Sequence, residues 1–452
     1  MLKILSAGSL AFSSLLLTAV HAQTSLDVEK IDSYLEAASA RYGFSGVVLV
    51  AQKGTVLLHK GYGWKDVKDK VPNDTSGIFQ IGSVTKQFTA TIILKLQEEG
   101  KLTLSDPISK YLPGYPNGEK ITLYHLLTHT SGIDDYTKHF KPLQFIFKKT
   151  VSKQKVINTV KNKELSFAPG TQFQYSSTNY YLLGLIIEKV TGKPYEQVVH
   201  ETIFAPLQMT HSGFDFRNLS DPGKTTGYSV FYKERQIRAN DDDSTILYAA
   251  GGIYSTTGDL YKWIRAIANQ QILTRQSWKQ ALTPNKGFYG LGWAIDTLHG
   301  RKYITHNGIT SGFSGLLLYF PDEDICLILL RNTTGSLWNT GVAVSQIIFN
   351  SPYLWGNQAE VTPDTTILKQ YMGTYVYDKI YKLTVSVKEG QLYFNGTPNT
   401  AINNAAFIAL SDTSFFNTNL YLRIEFIKDS SGKVTGFKGI REGWYLTWIR
   451  EN

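Results

Sequence analysis

The chain has 452 residues, more than one hydrophobic core usually serves, and its 42% apolar and 18% charged composition is that of a globular protein with roughly two domains. Its formal charge of +9 is scattered, accompanies no nucleic-acid motif, and excludes nucleic acid as a partner in favour of a mildly basic surface suited to an anionic cell envelope. Cys326 is the only cysteine, which excludes an internal disulfide framework.

Residues 1–22 read as a secretory signal. Lys3 is the charged region, Leu10 to Val20 are apolar but short for a membrane span, and Val20-His21-Ala22 precedes a cleavage point at Gln23. The competing reading is an uncleaved N-terminal anchor. Lys3 is the only charge in this segment, so the mature chain carries +8. No second long apolar run follows, so a mature chain without a transmembrane segment is expected, exported to the periplasm or secreted.

Asp27 to Arg41 has helical spacing and ends at Gly43, and Phe44 to Ala51 and Thr55 to Gly61 read as a hairpin turned by Gln52-Lys53-Gly54. The next stretch organises the rest. Ile81-Gly82-Ser83-Val84-Thr85-Lys86 opens a segment to Glu99 that is apolar around most of a helical circumference and closes at Gly100. Ser83 and Lys86 lie three residues apart, on one face. A hydroxyl there feels the positive end of the helix dipole, and an amine with a pKa lowered by burial can take its proton. Ser-x-x-Lys recurs at Ser152–Lys155, in a lysine-rich polar stretch, and at Ser430–Lys433, in a turn. Neither puts a serine at the mouth of an apolar helix.

His125 and His129 stand four apart on an expected helix, a zinc-like spacing, but Leu126 occupies the place where a zinc protease carries glutamate. With no supporting acidic cluster they are read as structural, and no metal or organic cofactor is expected. Leu182 to Val190 and the run through Ala268 read as further helices; Gly290 to Ile295, Lys302 to His306, Gly315 to Phe320 and Ile325 to Arg331 read as strands; Asn339 to Phe349 reads as a closing helix. The class is α+β. Residues 351–366 read as a linker, and beyond it Leu383, Val385, Val387, Leu392, Phe394, Leu422, Ile424 and Phe426 alternate as in a small antiparallel barrel or sandwich. The expected division is a signal at 1–22, a catalytic domain at 23–350 and a β domain at 367–452.

Ser83 needs a proton shuttle and an oxyanion site. Tyr175 is the candidate shuttle, since a phenol beside an ammonium ion loses its proton more easily, and His306-Asn307-Gly308 at a strand end can wall a cleft. His211-Ser212-Gly213 follows no convincing strand and reads as a turn. Ser83-x-x-Lys86, Tyr175-Ser176-Ser177 and His306-Asn307-Gly308 together resemble the three motifs of serine β-lactamases and penicillin-binding proteins, in the order of the class C branch with its D-aminopeptidases, D,D-carboxypeptidases and esterases. Leu126-Leu127-Thr128-His129-Thr130-Ser131-Gly132, Gly251-Gly252-Ile253-Tyr254-Ser255 and Gly258-Asp259-Leu260 are similar to that family too, over about residues 27–350. The tail resembles a lipocalin-like β domain.

The resemblance implies a β-lactamase/transpeptidase-like fold, an antiparallel sheet flanked by helices with an all-helical part. It implies Ser83 as acylated nucleophile, Lys86 and Tyr175 sharing acid–base work, and the backbone amides of Ser83 and Ile309 as oxyanion hole. Ser177, His306, Asn307 and Gly308 would contact substrate. Two departures bear on specificity: Ser177 stands where the family often has asparagine, with Asn179 displaced by two, and His306 stands where it often has lysine. Histidine has an ordinary pKa of about 6.5, so the fixed cation for a substrate carboxylate is lost at neutral pH. The expected activity is therefore acyl transfer on an amide or ester, a small molecule or peptide that includes cell-wall fragments. A working β-lactamase and a non-catalytic binder of cell-wall fragments or β-lactams are the alternatives. Plainer roles stand beside these: Tyr175 as packed aromatic, His306 as strand-end residue, Ser177 as helix cap, Asn307 as spacer.

Overall fold

The computed structural model describes residues 26–139, 151–232, 235–351, 361–378, 381–396, 402, 404–417, 422–441 and 444–451. The expected signal at 1–22 and most of the expected linker lie outside them. An antiparallel sheet orders its strands as Thr55–Tyr62, Gly46–Gln52, Ile325–Arg331, Ser314–Phe320, Arg301–Ile309 and Ala294–Leu298. Strands distant in sequence thus meet at its centre, where Gly46 faces Arg331 and Gln52 faces Ile325.

The continuous apolar runs follow from burial on both faces. Val47, Leu49, Leu317, Ile328 and Leu330 point into one core, shared with Phe88, Ile92, Leu183 and Trp263 of the helices Thr85–Glu98, Ser177–Thr191 and Thr257–Ala268. Val48, Val50, Leu316, Leu327 and Leu329 point into a second core, with Ile31 and Leu35 of Val28–Tyr42 and Val344 and Ile347 of Trp338–Ile348. Burying each such side chain is worth about 1.5–3 kcal/mol. The first helix ends at Gly43 as its sequence predicts, with φ +68°, and begins one residue later than its spacing suggested, with the Asp27 carboxylate as its cap, accepting from Lys30 N–H at 3.0 Å.

Three local expectations change. The run from Gly290 is a strand only from Ala294, because Gly292 takes φ +85° and its turn packs against the helix Thr85–Glu98, where a Cβ would come 2.7 Å from the Ala90 Cβ. His125 and His129 do not share a helix: it spans Leu123–Leu127, and His129 lies beyond it at φ +55°. The second of these first-core helices begins at Ser177 rather than Leu182.

After the helix Thr365–Gln370, which begins within the expected linker, eight strands from Gly373–Tyr377 to Trp444–Arg450 close into an antiparallel barrel through Tyr375↔Arg450 and Val376↔Ile449. Alternation sends Leu383, Val385, Phe394, Phe415, Phe426 and Phe437 inside, and Tyr371 lies on Phe426 with ring centroids 3.9 Å apart. The barrel interior is filled by side chains. Phe416, one residue past inward Phe415, points out and joins Leu410 in the second core, beside Leu316 and Ile347.

Candidate active site

The Ser83 segment is a short 3-10 turn, Gly82–Val84, running directly into the helix Thr85–Glu98. Phe88 stacks on Trp263 at 4.6 Å and anchors that helix in the core. Gly82 takes φ +52°, and a Cβ there would sit 2.8 Å from the Ile309 nitrogen. A Cβ on Gly308 would meet the Ile81 oxygen at 1.9 Å and the Ser83 nitrogen at 2.8 Å. Two glycines therefore let the end of the strand Arg301–Ile309 lie against the Ser83 peptide.

Lys86 is 0% exposed; its Nζ donates to Ser83 Oγ at 3.0 Å and to the Ala250 carbonyl at 2.7 Å. Burial brings its amine down to about 7, with the Asp135 carboxylate pulling the other way. Half the lysines are then neutral near pH 7 and can accept a proton. The structure thus brings together the serine and lysine that the sequence placed on one helix face.

The Lys86 Nζ lies 5.0 Å from the centre of the Tyr175 ring. Burial pushes the Tyr175 phenol up, its interaction with the Ser83 hydroxyl acts downward, and Asp135 adds to the rise. Desolvation outweighs the Ser83 hydrogen bond, so the phenol keeps its proton at neutral pH. Tyr175 can donate a proton here; it does not stand ready as a phenolate.

His306 is 4% exposed, and burial followed by the charge of Lys86 brings it down to about 3. Its Nε2 is 2.9 Å from the Tyr289 hydroxyl and its Nδ1 2.7 Å from the Asn307 carbonyl, so neutral imidazole with the proton on Nδ1 satisfies both. The imidazole is neutral and buried among aromatic rings. Asn307 and Ile309 are the exposed residues of this strand end, Ile309 at 47%, while Gly308 is buried against the Gly82–Val84 turn.

Ser177 is the first residue of its helix and nearly buried, and its N–H bonds Asp135 Oδ2 at 3.1 Å. The cap position belongs to Ser176, whose hydroxyl donates to the Asp134 carbonyl instead. Asn179 turns inward: it accepts from Ser131 Oγ at 2.7 Å and its Nδ2 lies 3.2 Å from His129 Nδ1. His129 is fully buried, with its ring 4.3 Å from that of Tyr175. It is a wall of the tyrosine pocket. His125, half-buried, accepts at Nδ1 from Thr122 N–H in a capping box. Among the described residues, no group of three or more His, Cys, Asp or Glu is placed to hold a metal ion. Sequence reasoning missed Tyr289, which carries no motif in a chain of 27 tyrosines, and Asp135, whose acidic pair with Asp134 reads as ordinary loop.

A family profile described as Beta-lactamase matches residues 31–344, and one described as a domain of unknown function (DUF3471) matches residues 357–440. The Bacillus subtilis (strain 168) protein named as penicillin-binding protein PbpX is 33% identical over 305 residues, 67% of this chain and 73% of its own. The octameric penicillin-binding protein homologue from Pyrococcus abyssi superposes with TM-score 0.67 at 26% identity, over 93% of this chain and 100% of that one. A D-stereospecific amidohydrolase from Streptomyces sp. superposes with TM-score 0.61 at 29% identity, over 72% and 98%. The chain belongs to the β-lactamase family of serine hydrolases.

Proposed function

We propose that this protein is an exported serine hydrolase that cleaves an amide or ester through an acyl intermediate on Ser83, with D-amino-acid peptides, cell-wall peptides and related esters as its substrate class. The observation that carries this reading is the buried Lys86 amine, brought down to about 7 and held 3.0 Å from the Ser83 oxygen.

In this mechanism neutral Lys86 takes the Ser83 proton as Oγ attacks the scissile carbonyl. The N–H groups of Ser83 and Ile309 receive the developing oxyanion, each worth about 10²–10³ in rate. The Tyr175 hydroxyl protonates the leaving amine or alkoxide and regains its proton from Lys86. Water then attacks the acyl-serine by the reverse proton path, releasing the acid and restoring Ser83. Neutral His306 supplies no fixed cation, so substrates without a free carboxylate beside the scissile group are favoured over penicillins and D-alanyl-D-alanine termini. The name of the Streptomyces relative, a D-stereospecific amidohydrolase, supports the same choice. The family profile described as Beta-lactamase supports a β-lactamase as the second reading.

The test is a turnover panel of p-nitrophenyl esters, D- and L-amino-acid p-nitroanilides and nitrocefin, run with wild type and Ser83→Ala. Ester and D-anilide turnover at least about tenfold above nitrocefin, all abolished by the substitution, is the expected result; the reverse ranking establishes the second reading. Export is checked by expressing the full chain and sequencing the N-terminus of the secreted product, expected at Gln23.

A further inference from the structure

The two amides proposed to hold the oxyanion belong to segments far apart in sequence, and one residue outside both of them grips each. Asp242 is 2% exposed, two residues before the helix Ser244–Gly251. Its Oδ2 accepts the Ser311 N–H at 2.8 Å and its Oδ1 accepts the Ser311 hydroxyl at 2.5 Å. Ser311 is two residues past Ile309, in the turn that Thr310 N–H closes onto the Phe313 carbonyl at 2.9 Å. The backbone carbonyl of the same Asp242 accepts from Gln80 Nε2 at 3.0 Å, three residues before Ser83.

Asp242 has no ion pair of its own among the described residues. Arg217 bonds the Asp243 carboxylate at 2.9 Å and the Asp241 carbonyl at 3.3 Å, and Lys224 pairs with Asp241 at 3.2 Å. Burial and neighbouring Asp241 raise the Asp242 carboxyl, against the two Ser311 bonds and Arg217, which lower it. A buried carboxylate without an ion pair is costly, and both of its acceptor bonds here go to one residue of the turn. Desolvation is accepted where rigidity is needed, since a misplacement of about 1 Å at a reacting centre costs about 10²-fold in rate.

We infer that Asp242 is a positioning residue for acyl transfer, its carboxylate holding the Ile309 turn and its carbonyl holding the Gln80–Ser83 segment so that the two amide donors keep the spacing the oxyanion needs. This rests on the reading of Ser83 as nucleophile. Asp242 touches no substrate; it acts through Ser311 and Gln80.

The experiment compares Asp242→Ala, Asp242→Asn, Ser311→Ala and the Asp242→Ala/Ser311→Ala double variant in the full chain. It measures kcat, KM and the inhibition constant of phenylboronic acid, whose boron bonds Ser83 Oγ and becomes tetrahedral while the proton passes to Lys86. Asp242→Ala is expected to lower kcat about 10–10²-fold with KM within about threefold, and to raise the boronate constant by the same factor as kcat/KM falls. Asp242→Asn keeps most activity, because its amide can accept the Ser311 N–H and donate to the Ser311 oxygen. Ser311→Ala costs less, moves rate and inhibition together, and adds nothing to Asp242→Ala; it carries the test alone if Asp242→Ala does not fold. A fall in kcat with an unchanged boronate constant means only a smaller folded fraction and overturns the inference. So do multiplicative losses in the double variant, or wild-type behaviour of Asp242→Ala. Ser83→Ala separates the two levels: if it retains turnover, the nucleophile assignment fails, whereas an inactive Ser83→Ala beside an unimpaired Asp242→Ala refutes the positioning role alone.

Discussion

Lys86 carries opposite demands at a single residue, since the burial that makes it a base also destabilises the fold. Its amine near 7, against an ordinary 10.5, predicts that kcat/KM climbs with pH through an apparent pKa near 7, as Lys86 loses its proton. A stopped pH–rate profile on an uncharged ester checks this; a profile flat from pH 5 to 9 contradicts it. Holding the amine that low costs about 4 kcal/mol of stability at neutral pH. Between about pH 7 and 10 the unfolded chain holds a proton at this position that the folded chain lacks, so wild-type stability rises with pH across that window. Lys86→Met should abolish activity, remove that rise, and raise the melting temperature by several degrees in calorimetry, the loss of two hydrogen bonds offsetting part of the gain. Ser83 and Lys86 were legible because helical periodicity alone puts a serine and a lysine on one face at the mouth of an apolar segment. The protonation of Tyr175 and the depth of His306 were not. Both depend on rings brought in from Tyr289 and His129, whose positions no local pattern encodes.

At the scale of elements, the site depends on a strand end lying flush against a helix mouth. Gly308 is the tightest point, since any Cβ there overlaps the Ile81 oxygen at 1.9 Å. Gly308→Ala is expected to push the Ile309 amide away from Ser83, lowering kcat/KM about 10²-fold and stability by about 1–3 kcal/mol. Steady-state kinetics and urea unfolding check both; an active, equally stable variant would show that the contact is slack. The first helix and the hairpin after it were readable because apolar spacing agrees with the stop at Gly43 and the turn at Lys53 and Gly54. The strand at Gly290 was misread because Gly292 takes a left-handed turn to fit the helix surface, a tertiary demand with no local signature. The His125–His129 pair failed for a related reason: the helix ends at Leu127 and the chain reverses at His129, φ +55°, to build the tyrosine pocket.

For the whole molecule, the question is how the barrel couples to the catalytic half. Phe416 is fully buried in the core that also holds Phe320, Ile347 and Ile348. Phe416→Ala should cost about 3–5 kcal/mol, and calorimetry should show the barrel and the catalytic half melting as two separated transitions. A single transition at the wild-type temperature would mean that this contact does not couple the two parts. Alternation made the barrel strands legible, since Leu383, Val385, Leu392 and Phe394 follow the period of two. Alternation alone left barrel and sandwich both open, because the pairing of Tyr375 with Arg450 that closes the barrel spans the whole barrel sequence. The packed interior has the same origin: aromatic side chains from different strands meet only once the sheet has curled.

The central claim is that Ser83, activated by Lys86, carries the acyl group. Intact mass spectrometry with peptide mapping, on protein acid-quenched during turnover of a slow p-nitrophenyl ester, tests it most directly. The predicted result is one acyl adduct on the peptide containing Ser83, absent from Ser83→Ala and from Lys86→Met. An adduct on another residue, or full turnover by Ser83→Ala with no adduct, would contradict it.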